Sequence, residues 1–296
     1  MAEKVFFILN KYAGSGFQSS VEEQITDACS LFNLEPTIEN TNQKGHATEL
    51  AAQALAAGFP RVFAMGGDGT VNEVAQALVH STVAMGILPA GSGNGLARHL
   101  QIPLRTHRAL GLLGEHKVLQ MDTLLVNGHL CVNVAGIGFD AHVASLFGEN
   151  GNRGLIGYTK LVFREFRRFK EFRGDVTVDN ETRTIKSFII ALANSSQFGN
   201  NARVAPHASV NDGLMDVCFI QKVSLIQALP FAARMFRGTV DRSPYAEIVK
   251  AKSFRANFVQ PMPYHIDGEP YKPTRQFEVH MQPGSLNMIT PLKSPQ

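Results

Sequence analysis

The chain has 296 residues, 44% hydrophobic and 18% charged, with a formal net charge of +3. That balance excludes a disordered chain, leaves room for two modest domains, and is too weakly basic to argue for a nucleic-acid partner. Three widely spaced cysteines argue against a disulfide framework or zinc site, and no apolar run nears the roughly 18–20 residues of a membrane span, so a cytoplasmic protein is expected.

Val5–Leu9 reads as a first strand, too short for a secretory leader. Ser20 stands before a helix with the apolar face Val21, Ile25, Ala28 and Phe32, and Glu23 completes a capping box. Pro36–Glu39 is a short strand, and Ala47–Ala57 is an alanine-rich helix closed by Gly58. Arg61–Met65 and Val83–Leu88 are further strands, each entering a glycine-rich turn. Gly66-Gly67-Asp68-Gly69-Thr70 leads into a helix at Val71–His80, with Thr70 and Glu73 at capping-box spacing. Pro89–Gly95 leads into a helix at Leu96–Leu100, with Asn94 placed to cap it. Strands alternating with helices imply a parallel α/β sheet whose ligands gather at the carboxyl ends of its strands. Three glycine-bearing loops lie at such ends: Asn10–Gly16, Gly66–Thr70 and Pro89–Gly95.

Near residue 117 the pattern changes to short β-rich segments with turn signals at Asn127-Gly128, Asp179-Asn180, Asn211-Asp212-Gly213 and Asp267-Gly268. This is the pattern of a mainly antiparallel sandwich or barrel, interrupted by helical stretches at roughly Leu155–Phe172 and Leu225–Arg237. The expected division is an α/β domain over 1–120, completed by 284–296, and a β-sandwich domain over 121–283.

A strand that ends in glycines and opens a helix makes a phosphate site. Glycine admits the ligand close to the backbone, and the first helical turn offers unpaired N–H groups and a positive dipole end. An aspartate among such glycines repels phosphate unless a cation intervenes, so Asp68 suggests a metal–nucleotide, Mg²⁺–ATP. In the second loop Ser92 can donate to a phosphate oxygen; the alternative is a plain flexible turn. Gly136-Ile137-Gly138-Phe139-Asp140-Ala141 fits the dinucleotide fingerprint, but no acidic residue ends a strand about 20 residues later. The ten histidines show no metal-binding spacing.

The stretch Gly66-Gly67-Asp68-Gly69-Thr70-Val71-Asn72-Glu73, followed by Leu88-Pro89-Ala90-Gly91-Ser92-Gly93-Asn94, resembles the catalytic domain of the diacylglycerol and sphingosine kinases, in the layout of the stand-alone bacterial lipid kinase. NAD kinases and phosphofructokinases share the shorter glycine core, so the resemblance implies an NAD-kinase-like or phosphofructokinase-like parallel domain before the sandwich. It implies nucleotide contacts at Asn10, Thr41, Gly66 to Glu73, and Ser92, Gly93 and Asn94. It implies Glu269, in Asp267-Gly268-Glu269, as the proton acceptor for a lipid hydroxyl, and Asp122 as an acid that orients Mg²⁺ or its waters. It also implies a second, structural Mg²⁺ held by Asp212 and the main-chain oxygens of Ser209 and Leu214. Lys11 stands where the family often has proline, and Gly95 after Asn94 is closer to the sphingosine-kinase pattern, which leaves the acceptor lipid open.

The helix near 154–173 carries an apolar stripe of Leu155, Tyr158, Val162, Phe166 and Phe169. Lys160, Arg164, Arg167 and Arg168 make its other face basic, which suits an anionic membrane surface; the alternative is a solvated helix covering the sandwich. The expectation is an ATP- and Mg²⁺-dependent lipid kinase, working on a lipid at the inner membrane face without nucleic acid; a homodimer is compatible with it. The rival readings are an NAD kinase and a non-catalytic nucleotide or lipid sensor.

Overall fold

The computed structural model describes residues 2–14, 20–149 and 155–293. Gly16, which closes the first expected loop, lies outside the described residues, as do the side chains of Leu155, Tyr158 and Lys160. The chain divides into two compact units. Unit 1 is Met1–Thr123 with Val210–Asp212 and Gln282–Gln296; unit 2 is Leu124–Ser209 with Gly213–Met281.

Unit 1 alternates β1 (Glu3–Leu9), α1 (Val21–Leu31), β2 (Leu34–Asn40), α2 (His46–Ala56), β3 (Arg61–Gly66), α3 (Asp68–Leu78) and β4 (Ala84–Pro89). The short helices α4 (Gly95–His99) and α5 (Thr106–Ala109) follow. The strands pair in parallel in the order β2-β1-β3-β4, and beyond β4 the chain returns with Asn287 and Met288 opposite Ala84 and Met85. Strands buried on both faces need continuous apolar runs, and β3 and β4 are buried along their whole length. Phe7 and Phe63 stack at 5.3 Å inside the unit, and helix faces such as Val71, Val74, Ala75 and Leu78 of α3 are buried.

Unit 2 takes only the end of β5 (Lys117–Val126), from Leu124 onward, then β6 (His129–Cys131), β7 (Val134–Gly138), α6 (Phe139–Glu149), α7 (Leu155–Arg168), β8 (Phe172–Val178), β9 (Glu181–Ser187) and β10 (Ile189–Ala193). It continues with β11 (Met215–Ile220), α8 (Leu225–Arg237), β12 (Ala246–Ala251), β13 (Ser253–Ile266) and β14 (Glu269–Thr290), whose end belongs to unit 1. Its pairings are antiparallel. The early half of β13 lies against β8 and the late half against β7, with register shifts between Asn257 and Met262 and between Met262 and Tyr264. One bent strand thereby serves two strand sets, which is how a sheet closes over a core. That core includes Phe254, Phe258, Phe277, Ile190, Leu192 and Val217. The fold is therefore an N-terminal α/β domain with parallel strands and a C-terminal antiparallel β-sandwich domain.

Hairpin turns form where Asn-Gly and Asp-Gly stand, with φ of 48° and 82° at Asn127 and Gly128 and 50° and 88° at Asp267 and Gly268. Several local expectations differ from what is observed. Helix α3 starts at Asp68 with Gly67 as N-cap, three residues before the Thr70 start, so Thr70 and Glu73 form no capping box. Ser20 has φ −85° and ψ 2° and makes no cap bond; Gln24 Nε2 donates to its Oγ instead. Asn94 is a left-handed N-cap with no cap bond, because its side chain turns back to its own loop. Helix α7 ends at Arg168 rather than Phe172, since Phe172 already begins β8 and is buried.

Candidate active site

In unit 1 the parallel register brings the carboxyl ends of the strands level: Leu9 lies opposite Asn40 and Met65, and Gly66 opposite Pro89. The loops that leave those ends interlock. A Cβ built on Gly14 would meet Ala90 O at 2.1 Å, and one on Gly91 would meet Gly67 Cα at 2.4 Å. A Cβ on Gly66 would meet Thr70 Oγ1 at 2.4 Å. No residue but glycine fits these three places without moving main chain or a packed threonine. At Gly14 the φ of +64° adds a second requirement.

Side chains lock the same cluster. Asn10 Nδ2 donates to Thr70 Oγ1 at 2.9 Å, and Asn10 Oδ1 accepts from Tyr12 N at 3.0 Å. Asp68 Oδ1 accepts from Gly95 N at 2.8 Å, so the acid of the Gly66–Thr70 loop holds the helix start after the Pro89–Gly95 loop. Asn94 Oδ1 accepts from Gly91 N at 3.0 Å and its Nδ2 donates to Gly91 O at 2.7 Å, which closes that loop on itself. Arg98 Nε donates to Gly93 O at 3.0 Å. Ser92 is exposed at the tip.

Glu73 lies a turn deeper. Its carboxylate accepts from Gly45 N at 2.9 Å and Ala47 N at 3.3 Å, and Thr48 Oγ1 donates to its carbonyl at 2.8 Å. It therefore clamps the start of α2 onto α3. Asn72 Oδ1 accepts from Gln76 Nε2, and the Val71 side chain is buried, which leaves only Val71's main chain for a ligand. Thr41 follows β2 and donates its N–H to Leu9 O at 2.9 Å. Asp122 is buried; its N–H donates to Val210 O at 2.6 Å and its Oδ1 accepts from Gly284 N at 2.7 Å. It thus ties two returning segments into unit 1. Of the residues expected at a second metal, Asp212 belongs to unit 1 and Ser209 and Leu214 to unit 2.

In unit 2, Glu269 is exposed as the first residue of β14. The turn before it is fixed by two residues that sequence reasoning missed. Asp267 is buried, and its carboxylate accepts from Val132 N at 2.9 Å, Asn133 N at 2.9 Å, Val134 N at 3.1 Å and Cys131 Sγ at 3.2 Å. Burial, reinforced by that carboxylate, raises the Cys131 thiol well above its ordinary value. His265 Nδ1 accepts from Gly268 N at 3.3 Å, which leaves its Nε2 to donate to Asp140 Oδ2 at 3.1 Å. A Cβ on Gly136 would fall 1.8 Å from Asp140 Oδ2 and 2.5 Å from His265 Nε2. The glycine of the dinucleotide-like motif therefore makes room for an Asp–His pair. Only the Asp-Gly turn was legible from sequence; the partners of Asp267 lie over 130 positions away.

The unit 1 loops fit a polyphosphate. Glycines bring main-chain N–H groups of two loops together where a side chain would fill the space, and the start of α3 carries no capping side chain. Among the described residues no three His, Cys, Asp or Glu side chains form a metal cluster. The Asp68 carboxylate between the two loops fits a cation such as Mg²⁺, which keeps waters and binds through one or two carboxylates plus substrate phosphates. No described helix is long and apolar enough to cross a membrane.

Known proteins match along nearly the whole chain. The family model of the diacylglycerol kinase catalytic domain covers residues 4–126, and that of the YegS C-terminal NAD kinase beta sandwich-like domain covers residues 133–290. A relative from Enterobacter sp. (strain 638), named "Probable lipid kinase YegS-like", is 28% identical over 302 residues, spanning 99% of this chain and 97% of its own. One of the same name from Chromohalobacter salexigens is 26% identical over 257 residues, spanning 85% and 82%. A solved chain from Bacillus anthracis superimposes with a TM-score of 0.83 at 24% identity, over 99% of this chain and 98% of that one. A second from that organism, named a diacylglycerol kinase, gives 0.76 at 19%, over 98% and 97%.

Proposed function

Because the chain belongs to the lipid kinase family that joins a diacylglycerol kinase catalytic domain to a YegS-type β-sandwich domain, we propose that it transfers the γ-phosphoryl group of ATP to the hydroxyl of a diacylglycerol-like or sphingoid-like lipid. The observation that carries this reading is the interlock of the Gly66–Thr70 and Gly91–Asn94 loops at the carboxyl ends of β3 and β4.

Main-chain N–H groups of those loops, with Asn10, Thr41, Thr70, Asn72 and Ser92 around them, hold the triphosphate. A bound Mg²⁺ would offset phosphate charge, held by Asp68 with Asp122 orienting its waters. Glu269 accepts the proton of the lipid hydroxyl as its oxygen bonds to the γ-phosphorus; the bond to the bridging oxygen breaks and ADP leaves with that electron pair. Such chemistry asks mainly for positioning and charge neutralisation. A buried Asp267 and the Asp140–His265 pair support the base assignment, because they fix the turn from which Glu269 projects. Asp212 and the main-chain oxygens of Ser209 and Leu214 are proposed to hold a second, structural Mg²⁺.

On this reading the chain works in the cytoplasm at the inner membrane face, with Arg164, Arg167 and Arg168 of α7 toward anionic lipid. Arg164 and Arg168 lie 2.7 and 3.8 Å from Glu165, so part of that charge is already matched. The test is transfer of labelled γ-phosphate to a panel of diacylglycerol, monoacylglycerol, sphingoid bases and phosphatidylglycerol, with NAD as a separate arm. Label in a lipid supports the reading; label in NAD alone, or in nothing while nucleotide still binds, overturns it.

A further inference from the structure

Helix α8 presents its apolar side to water. Ile226 is 89% exposed, Leu229 79% and Phe236 58%, whereas Phe231 and Met235, on the opposite side, pack against the buried cluster of Val204, Ala205, Cys218 and Ile220. At 100° per residue, Ile226, Leu229, Pro230, Ala233 and Arg237 share one outward arc, with Phe236 at its margin. A helix covering a sandwich ordinarily turns its polar side outward, so this face is inverted. It is also rigidly carried. Ser224 Oγ donates to Gln227 Oε1 at 2.9 Å, Gln227 Nε2 donates to Tyr245 Oη at 2.6 Å, and Gly238 closes the helix at φ 68°.

We propose that α8 is a membrane-insertion element that seats this face in the headgroup boundary of an anionic bilayer. The choice of a bilayer as occupant rests on the lipid-kinase reading and on charge. From Gln221 to Val240 the chain carries Lys222, Arg234 and Arg237 and no acidic residue. Arg234 and Arg237 are exposed, Arg237 within the same arc at the helix end and Arg234 at its edge. Two copies meeting through this face would bring like charges together, whereas anionic headgroups complement them. Aliphatic and aromatic side chains outward with arginines beside them is the composition of a helix lying in an interface. The site differs from the basic face of α7, whose Arg164 is engaged by Glu165.

The chain has no tryptophan, so one introduced reporter is spectrally alone. The full-length Ile226→Trp protein is titrated with phosphatidylcholine vesicles containing or lacking phosphatidylglycerol, without nucleotide. Insertion predicts a blue-shifted emission and quenching by brominated acyl chains with the anionic vesicles; an unshifted spectrum overturns the proposal. In flotation, the Ile226→Glu/Leu229→Glu double variant should bind anionic vesicles at least about tenfold more weakly than wild type. Arg234→Gln and Arg237→Gln should each cost about fivefold on anionic vesicles and nothing on neutral ones. Turnover of the double variant on detergent-dispersed substrate should match wild type, which reports that it is folded. Binding equal to wild type in the double variant, or a wild-type dimer that this variant converts to monomer, sinks the idea. A chain that inserts α8 yet labels no lipid would instead overturn the lipid-kinase reading and leave the insertion standing.

Discussion

Replacing Gly91 by alanine adds a single methyl group at the point where the two glycine loops touch. Gly91 is not among the positive-φ glycines, so an alanine backbone is tolerated and the perturbation is one of space alone. The new Cβ would lie 2.4 Å from Gly67 Cα, 3.0 Å from Asn94 Oδ1 and 3.3 Å from Gly67 N, against 3.4–4 Å for ordinary contact. Two of those atoms are main chain and cannot rotate away, so the loops must part by about 1 Å. Overpacking of this kind costs about 1–3 kcal/mol. At about 2–4 °C per kcal/mol, the melting temperature should fall by roughly 2–12 °C. The larger effect falls on the ligand. A main-chain N–H bonds oxygen over only about 2.7–3.2 Å, so a phosphate spanning both loops must give up one side. Loss of one charge-assisted bond, worth about 1.5–3 kcal/mol, corresponds to about 10–100-fold in Kd for Mg·ATP by calorimetric titration. The control is Gly111→Ala, where nothing lies within 4 Å of the new Cβ and the backbone is not left-handed. Wild-type affinity in Gly91→Ala would mean that the loops do not jointly hold phosphate, and the proposed nucleotide site would fail with it.

Three further outcomes follow from the same geometry. Glu269→Gln should keep Mg·ATP affinity and lose about 10²–10⁴-fold in turnover, and near-normal turnover would move the base elsewhere. Asp267→Asn should lower stability by about 2–4 kcal/mol in denaturant melts, because an amide NH₂ would face main-chain N–H groups that now share a carboxylate; an unchanged midpoint refutes that role. Burial raises Cys29 from 9.0 to about 11, and raises Cys131 and Cys218 well above 9.0. A folded value above the unfolded one gives stability that is complete below about pH 9 and lost as the pH climbs through the folded value. Melts between pH 9 and 10.5 should therefore lose up to about 1.4 kcal/mol per pH unit for each thiol, with no native labelling by thiol reagents at pH 8; flat stability would contradict the burial.

What the sequence disclosed and what it withheld divide along contact distance. Val5–Leu9, Arg61–Met65 and Val83–Leu88 were legible because a strand buried on both faces needs an unbroken apolar run. The Asn127-Gly128 and Asp267-Gly268 turns were legible because few residues accept positive φ. The interlocked glycine loops were legible as loops because glycine spacing carries its own steric reason. Helix starts were read too locally: capping spacing at Thr70 and Glu73 suggested a box, yet Glu73 spends its carboxylate on Gly45 and Ala47, 26 to 28 positions away. The Asp140–His265 pair spans 125 positions, and no periodicity encodes that.

The acids around the glycine loops show what those long contacts accomplish. Asp68 takes the N–H of Gly95, Glu73 those of Gly45 and Ala47, and Asp122 that of Gly284; in unit 2 Asp267 takes three more. Asp68, Glu73 and Asp267 accept from main chain at a loop or element start, where N–H groups lack helix or sheet partners, and Asp122 accepts from Gly284 inside β14, where the φ of 56° interrupts the strand. In unit 1 this sorts the amides. Those at α2, at α4 and at the Gly284 return are satisfied by protein anions, while the N-cap of α3 is a glycine with no side chain to offer. An incoming anion is then favoured at the start of α3, where the two interlocked glycine loops bring main-chain N–H groups together. Asp68 must therefore serve loop order as well as any cation, and the two roles separate by substitution. Asp68→Asn retains an oxygen acceptor for Gly95 N and removes only charge. It should keep the wild-type melting temperature within about 2 °C while losing Mg²⁺-dependent nucleotide affinity by about tenfold or more. Asp68→Ala, which also frees Gly95 N, should lose both. Equal affinity for wild type and Asp68→Asn at every Mg²⁺ concentration would leave Asp68 a purely structural clamp.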